Sequence, residues 1–257
     1  MNAGKTFFFS IVVGMSLFSA YALQFEQQFI KSGSLVFDVG AHKGSKTAEY
    51  LACGARVVCF EPQQECITVL RNTFKDNSRV TIEQIGLAAE EGTLEFMQCS
   101  GAPTISTFSK TWTEHSRFSE RHFNWDKKYQ VPVSTLDLMI QKYGNPYFCK
   151  IDVEGFEYMV LKGLSKPIPY VSFEYSVELL QEAVKCVSHL EQLGYTKFNF
   201  AIGEQPRFAF AQWQTAKDFM VALEKLTKEK DWQQLWGLWG DVYAHHEIAD
   251  YLGVGCD

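Results

Sequence analysis

Short apolar runs alternate with amphipathic stretches along most of this chain. The apolar runs predict β-strands near residues 34–38, 56–60, 79–84, 147–152, 169–173, 195–200 and 206–211. Apolar residues at helical spacing predict α-helices near residues 45–53, 63–75, 134–142, 155–163, 177–193 and 215–229. This alternation is typical of a mostly parallel sheet covered by helices. The short loop at 202–205 predicts a terminal antiparallel hairpin, and Ser134 with Asp137 predicts a helix-capping pair.

Residues 99–131 do not follow the alternation, because they mix Ser, Thr, aromatic and charged residues without an apolar period. A long irregular insertion in a compact domain is usually either functional or poorly ordered. We expect it to cover the substrate within a single domain of residues 23–257. Candidate lining residues are Ser106, Thr107, Trp112, His115 and His122. The alternative is a solvated surface excursion whose histidines have no role.

The first 22 residues differ in composition from the rest. Lys5 precedes an uncharged stretch, residues 6–18, and the small-x-small ending Ser19–Ala22 follows. These are the three parts of a secretory signal peptide, and the apolar stretch is slightly short for a membrane span. Residues 1–22 therefore predict a cleaved signal or a membrane anchor. A buried or amphipathic N-terminal helix, or a start site placed too early, stays open as an alternative.

Composition and charge narrow the class of partner. The chain has 257 residues, of which 46% are hydrophobic and 21% charged, as in one ordinary globular domain. A formal net charge of −6, with acids and bases interspersed, disfavours a nucleic acid bound by a broad basic face. We expect a small-molecule or glycan partner instead. Oligomeric state is not indicated.

The seven cysteines bear on the compartment and on metals. They show no paired short spacing and no Cys/His cluster, so neither a disulfide framework nor a zinc site is predicted. Buried free thiols favour a reducing compartment. The signal-like start points the other way, to an exported or membrane-associated protein. The sequence leaves localisation unresolved.

The first chemical motif lies at the end of the first predicted strand. Asp38, Gly40 and Gly44 form D-x-G-x-x-x-G, and Glu61 ends the second strand. Glycines let the backbone approach a ligand closely, and an acid at the tip of the next strand accepts hydrogen bonds from ribose hydroxyls. A strand-to-helix turn of purely structural value is the alternative. The pattern predicts a site for an adenosine-bearing cofactor.

The spacing within this turn discriminates between cofactors. A dinucleotide fingerprint needs glycine two and five residues after Gly40, where this chain has His42 and Ser45. A pyrophosphate would meet side chains there, which disfavours a nicotinamide-dependent oxidoreductase. The looser turn is typical of S-adenosylmethionine sites, where no phosphate has to be held.

A second cluster of charged residues follows the predicted strand at 147–152. Lys150, Asp152 and Glu154 alternate, so they lie on one side if the strand persists. Ligands of open α/β sheets bind outside the carboxyl ends of the strands. We therefore expect Asp152 and Glu154 to face the same crevice as Asp38. A surface ion-pair set at a strand end is the alternative.

Together these motifs resemble the FkbM-type methyltransferases. The resemblance covers residues 34–244, and its most specific part is the run at 150–155. The remaining matching motifs are Asp38–Ala41 with Gly44, Phe60–Pro62, Glu157, Leu161–Gly163 and Trp239–Val242. It implies a class I, Rossmann-like methyltransferase fold that uses S-adenosylmethionine to methylate a hydroxyl of a sugar or other small metabolite. The family commonly has Asn where this chain has His42.

Site roles are assigned on this basis. The cofactor-binding candidates are Asp38, Gly40, His42, Gly44 and Glu61. Because methyl transfer to a hydroxyl benefits from a base, Asp152 or Glu154 is the first candidate for that role.

The other candidates at the reacting end are Lys150, which would offset part of the acidity, Glu174, and His115 or His122 as second choices for the base. A divalent metal is conceivable from the carboxylates, but Lys150 makes it less favourable, and we expect a metal-independent reaction. The competing hypothesis is an exported binding protein or effector that keeps the fold without catalysis.

Overall fold

The computed structural model describes residues 24–228 and 239–248. The predicted signal or anchor, residues 1–22, lies outside these ranges. Within them, no helix is both long and apolar enough to cross a membrane.

Seven strands form the main sheet, in the spatial order β3-β2-β1-β7-β8-β10-β9. They are β1 (Leu35–Val39), β2 (Arg56–Phe60), β3 (Val80–Glu83), β7 (Phe148–Ile151), β8 (Tyr170–Ser176), β9 (Lys197–Ile202) and β10 (Trp239–His245). The first five in this order are parallel, and β10 runs antiparallel to both β8 and β9. The predicted fold class, a mostly parallel α/β sheet with antiparallel strands at its end, is therefore confirmed. The hairpin predicted at 202–205 does not form, because β9 ends at Ile202 and its antiparallel partner β10 begins only at Trp239.

A small second sheet packs beside the main one, in the order β4-β6-β5. Its strands are β4 (Gly86–Leu87), β5 (Gly92–Gln98) and β6 (Lys127–Ser134). The sequence pattern did not predict these strands. Most of the predicted insertion, 99–131, lies between β5 and β6 and contains two short helices and a 3₁₀ turn at Pro103–Ile105.

Eight α-helices are described. They are α1 (Ser45–Ala52), α2 (Gln64–Thr73), α3 (Lys110–His115), α4 (Arg117–Glu120), α5 (Leu136–Tyr143), α6 (Glu157–Leu161), α7 (Leu180–Gln192) and α8 (Ala216–Lys228). A second 3₁₀ turn, Val177–Leu179, precedes α7. Except for α3 and α4, each falls within or close to a predicted helical range.

The core explains why the first strand is apolar throughout. Every residue of β1 is buried, with Phe37 and Val39 in one hydrophobic cluster and Val36 in another on the opposite face of the sheet. Tyr50 of α1 and Phe29 from the N-terminal segment pack into the second cluster. Burying one such side chain contributes about 1.5–3 kcal/mol. Burial on both faces therefore makes β1 an interior strand of the sheet.

The predicted strand at 206–211 is wrong, because this segment has no regular structure and β10 takes the antiparallel place instead. The segment does run beside β9, where the backbone N–H of Ala209 donates to the Phe200 carbonyl. The side chain of Asn199 bonds both backbone groups of Phe210. Because a side chain takes these partners, a regular ladder does not form.

Two helix starts also differ from the prediction. Thr135, not Ser134, caps α5, since its hydroxyl accepts from the backbone N–H of Leu138. Asp137 instead accepts from the backbone N–H of Ser165. Helix α6 begins at Glu157 rather than at residue 155, because Gly155 has a φ of 83°, which a right-handed helix cannot contain.

Candidate functional site

The glycine turn after β1 allows a very close approach between two strand ends. Gly40 has a φ of 84°, and its backbone N–H donates to the Phe60 carbonyl at 2.9 Å. A Cβ at this position would lie 1.8 Å from the carbonyl oxygen of Asp152. Gly44, with a φ of 87°, is the N-cap of α1. Only glycine fits at Gly40, so the turn brings the β1 end and the β7 end together.

Glu61 lies at the end of β2 and is held by the backbone around it. Its two carboxylate oxygens accept from the backbone N–H groups of His42 and Gln63, both at 2.8 Å. Burial raises the pKa of Glu61 to about 7, against the lowering effect of these hydrogen bonds. The carboxylate is therefore fixed in orientation at the pocket wall before any ligand is bound.

Asp38 is buried beneath the turn. The Thr47 hydroxyl of α1 donates to its carboxylate at 2.5 Å. Burial raises the pKa of Asp38 to about 6, while Thr47 and the charge of Lys150 act in the opposite direction. Register pairs Asp38 with Lys150 across β1 and β7, so the two predicted motifs are adjacent.

His42 occupies the turn with a φ of 47°. Burial, followed by the charge of Lys43, lowers the pKa of His42, so its ring is neutral at physiological pH. The ring lines the pocket, and no hydrogen-bond partner for its Nε2 atom is found among the described residues.

The second motif forms an ion-pair network. The Lys150 ammonium lies 3.1 Å from Asp152 and 2.7 Å from Asp241 of β10. Burial alone lowers the pKa of Lys150, but the charges of Asp152 and Asp241 reverse this effect and hold the pKa well above its usual value. Lys150 and Asp152 therefore do share one side, as predicted from the alternation. Asp241 was part of the resemblance but had no predicted contact.

Glu154 and Glu174 complete the acidic end of the pocket. One carboxylate oxygen from each, together with one from Asp152, lie within 4.8 Å of one another. Burial, then the charge of Asp152, raises the pKa of both glutamates well above the usual value. This set could share a proton or hold a cation. The expected independence of metal stays a prediction.

Glu154 reaches this place by a different route from the one predicted. Strand β7 ends at Ile151, so strand alternation does not extend to Glu154. Its backbone is left-handed instead, with a φ of 57°.

The insertion contributes one wall of the pocket. Ser106 and Trp112 line it, as predicted. Thr107 is buried and bonds the backbone beneath the pocket instead of lining it. His115 and His122 are both exposed and are not among the residues that line the pocket. Neither histidine is therefore a candidate base, because neither side chain lies at the pocket.

A single cavity of about 430 Å³ joins the glycine turn to the acidic cluster. It includes residues that the sequence reasoning missed: Lys46, Phe96, Phe108, Arg117, Phe118 and Glu204. Lys46 follows the glycine turn directly and could have been found from that motif. The others come from segments whose place depends on the tertiary fold, so no local pattern marks them.

The model of the methyltransferase FkbM domain matches residues 38–197. This chain belongs to the FkbM methyltransferase family. The match begins at the acid of the glycine turn and includes Glu61, the insertion and the acidic motif after β7. The predicted family is thus confirmed. No curated protein matches the chain.

Several solved structures are similar to this FkbM-family protein at low sequence identity. Precorrin-6y C5,15-methyltransferase from Geobacter metallireducens is 11% identical, with a TM-score of 0.44 and coverage of 89% of this chain and 87% of that one. SMU.1697c, a putative methyltransferase from Streptococcus mutans in complex with SAH, is 10% identical, with a TM-score of 0.41 and coverage of 87% and 94%. Aeropyrum pernix fibrillarin, with natively bound S-adenosyl-L-methionine, is 10% identical, with a TM-score of 0.40 and coverage of 84% and 68%.

Proposed function

We propose that this FkbM-family protein is an S-adenosylmethionine-dependent O-methyltransferase that acts on a hydroxyl of a sugar or other small metabolite. The observation that carries the proposal is the continuity of the pocket. One cavity contains both the glycine turn with Glu61 and a pair of carboxyl groups, Glu154 and Glu174, whose pKa values are raised. The proposed cofactor site and a candidate proton acceptor therefore share one cavity.

The residues at the first end fit the cofactor. The Gly40 position leaves room only for backbone, so a ligand can approach it closely. Glu61, already oriented by two backbone N–H groups, has further lone pairs for the ribose hydroxyls. S-Adenosylmethionine, when bound, supplies an electrophilic methyl group on a sulfonium. The protein has to align the acceptor with that group and exclude water.

The second end supplies proton transfer. A hydroxyl is a weak nucleophile and benefits from a base positioned to take its proton. Because burial and Asp152 raise the pKa of Glu154 and Glu174, either carboxylate is a stronger base than an ordinary glutamate. Asp152 is held by Lys150, which fixes its position. We assign proton acceptance to Glu154 or Glu174, and orientation to Asp152 with Lys150.

Charge pairing in the pocket supports an uncharged acceptor. Among the described residues, three lysine or arginine side chains line the cavity, and each has an acidic partner. Lys46 pairs with Glu26 at 3.1 Å, and the Arg117 guanidinium pairs with Glu178 at 2.8 Å. Lys150 pairs as described above. A phosphate or carboxylate on the acceptor would thus meet cations that are already neutralised, next to several acids.

Aromatic side chains on the insertion side favour a flat apolar surface on the acceptor. Phe108, Trp112 and Phe118 line this wall. Sugar rings and other small metabolites present such faces, and the pairing of the cations disfavours a nucleic-acid backbone. We therefore propose a neutral small-molecule or glycan acceptor.

The test uses S-adenosylmethionine with a ¹³C-labelled methyl group. The protein is incubated with this cofactor and with neutral, anionic and cationic fractions of a cell extract, and products are read by ¹³C NMR, which separates O-methyl from N-methyl and C-methyl carbons. We expect O-methyl signals from the neutral fraction, and their loss in a Glu154→Gln, Glu174→Gln double variant. The matched control is Glu65→Gln, on the exposed side of α2.

Each other outcome has a defined meaning. A methyl group transferred to nitrogen or carbon would overturn the assignment of the acceptor atom. Cofactor binding with no transfer to any fraction would instead favour the competing hypothesis of a binding protein that keeps the fold. No binding of S-adenosylmethionine by the folded protein would overturn the proposal entirely.

A further inference from the structure

The backbone that carries Glu154 is held in an unfavourable conformation. Glu154 and Gly155 have φ values of 57° and 83°, both in the left-handed region. Glycine tolerates this region, but another residue there costs about 1–2 kcal/mol. Such a residue persists only where its surroundings determine its conformation. Contacts outside the turn must therefore hold Glu154 in place.

One of these contacts comes from Thr107 in the insertion. Its hydroxyl donates to the carbonyl oxygen of Glu154 at 2.8 Å and lies 3.3 Å from that of Val153. The Thr107 hydroxyl oxygen also accepts from the backbone N–H of Ser109 at 2.8 Å. The side chain is 1% exposed, so water cannot replace these bonds. Because the Thr107 hydroxyl both donates and accepts a hydrogen bond, it is held in one orientation.

The backbone of Thr107 is fixed in turn by the small sheet. Thr107 and Met97 of β5 exchange two backbone hydrogen bonds, at 2.8 and 2.9 Å. The hydroxyl therefore extends from a rigid support. It connects the small sheet to a turn that lies 47 residues further along the chain.

A second group holds the same turn from the opposite side. The Glu157 carboxylate accepts from the backbone N–H groups of Val153 and Gly155, at 3.0 and 3.2 Å. Glu157 is local to the turn, whereas Thr107 comes from the insertion. The turn is thus held at its carbonyls by a distant residue and at its amides by a neighbouring one.

We infer that Thr107 is a positioning residue, which sets the place of the Glu154 carboxyl at the acceptor end of the pocket. The inference rests on the proposed function, in which Glu154 and Glu174 serve as candidate proton acceptors. Thr107 itself does not line the pocket and acts through the Glu154 backbone. Docking of the insertion therefore also determines the place of Glu154.

The test compares three variants of the full chain. Thr107→Val keeps the shape of the side chain and removes the hydroxyl, and Thr107→Ser restores it. Thr113→Val is the matched control, because the Thr113 hydroxyl lies in the same insertion but donates at 2.8 Å to the Lys110 carbonyl of its own helix, with only a long contact of 4.0 Å to the Met97 sulfur. Protein with ¹³C-labelled glutamate carboxyl groups is titrated by NMR, and Glu154→Gln identifies the Glu154 signal. Amide hydrogen exchange of Val153 and Gly155 is measured in parallel.

We expect Thr107→Val to lower the pKa of Glu154 towards its ordinary value, because the released carboxyl gains water and moves away from Asp152. Exchange of the two amides should accelerate at least tenfold. Thr107→Ser and Thr113→Val should behave like the wild type in both measurements. A folded Thr107→Val protein with an unchanged Glu154 titration and unchanged exchange would overturn the inference.

A second variant covers the case in which Thr107→Val fails to fold. Glu154→Gly removes the cost of the left-handed backbone, so the Thr107→Val, Glu154→Gly double variant should recover thermal stability. If it does not, Thr107 acts elsewhere in the core and the inference is wrong. Titration of S-adenosylmethionine into the wild type separates the proposed function from the positioning role of Thr107. If the wild type does not bind S-adenosylmethionine, the proposed function alone is overturned, because the NMR comparison does not depend on cofactor binding.

Discussion

The two ends of the pocket are assembled in different ways. The glycine-turn end comes from one strand–turn–helix–strand unit between Asp38 and Gln63, and the hydrogen bonds of the Asp38 and Glu61 carboxylates run within that unit. The acidic end joins the turn after β7 with β8, β10 and the insertion. The glycine-turn end depends on close approach of the backbone, and the acidic end depends on the balance of buried charge. Substitutions at the two ends should therefore fail in different ways.

The largest effect on cofactor binding is expected from substitution of Gly40. In Gly40→Ala the new methyl group overlaps the carbonyl oxygen of Asp152, at 1.8 Å, in a backbone region that alanine rarely adopts. We expect no measurable binding of S-adenosylmethionine by calorimetry. Gly101→Ala is the control, because open space surrounds that position. A folded Gly40→Ala protein with wild-type affinity would show that the turn does not meet the cofactor.

The next largest effect is a pH dependence of cofactor affinity, also at the glycine-turn end. Burial raises the pKa of Glu61 to about 7, and in its proposed role only the ionised form would accept from both ribose hydroxyls. From pH 8 to pH 6 its ionised fraction falls about tenfold, so affinity for S-adenosylmethionine should fall by about the same factor. Glu61→Gln should bind weakly at both pH values, with a flat profile. A wild-type profile that is flat, or one that Glu61→Gln leaves unchanged, would contradict this role.

At the acidic end the expected effect is on stability. The pKa of Glu174 is raised in the folded protein above its ordinary value of 4.5. A carboxyl with a raised pKa supports folding while it is protonated, and this support is lost as the pH rises through the folded pKa. At pH 8 the raised pKa of Glu174 thus costs stability, and Glu174→Gln removes this cost. We expect the variant to melt a few degrees higher than the wild type at pH 8 and no higher at pH 4.5.

The converse result at Glu174 would be equally clear. If Glu174→Gln lowers the melting temperature at pH 8, the ionised Glu174 carboxylate stabilises the fold. Repulsion from the neighbouring carboxylates would then not determine its contribution to stability. Cofactor affinity should be unchanged in this variant, which separates it from the Glu61 and Gly40 variants.

The smallest effect is expected at His115. Its side chain is 69% exposed and lies 3.9 Å from Glu114, a weak surface pair. His115→Ala should alter neither cofactor affinity nor methyl transfer, and should change the free energy of unfolding by less than about 0.5 kcal/mol. A loss of methyl transfer without loss of cofactor binding would place His115 at the acceptor after all.

The sequence predicted the glycine-turn end well because that end is local. An apolar strand, two glycines and an acid at fixed spacing are enough to specify the turn, and Asp38, Gly40 and Glu61 all line the cavity. Lys150 and Asp152 were also placed correctly, since alternation within a strand is local too.

The acidic end could be predicted only in part. Asp241 meets Lys150 because β10 lies between β8 and β9, and this pairing is a property of the whole sheet. Glu154 depends on a left-handed turn that alternation does not describe. His115 and Thr107 looked alike as polar residues of an irregular insertion. Only the packed structure separates the exposed imidazole from the buried hydroxyl.

The segment beside β9 has a consequence for the behaviour of the protein at high concentration. Strand β9 is one edge of the main sheet, and an open edge is a template for pairing with other chains. Asn199 and the backbone of Phe200 are occupied there by Phe210 and Ala209. Because that segment is irregular, it satisfies the edge without offering a new regular one. The sheet is thereby protected against intermolecular β-aggregation on this side.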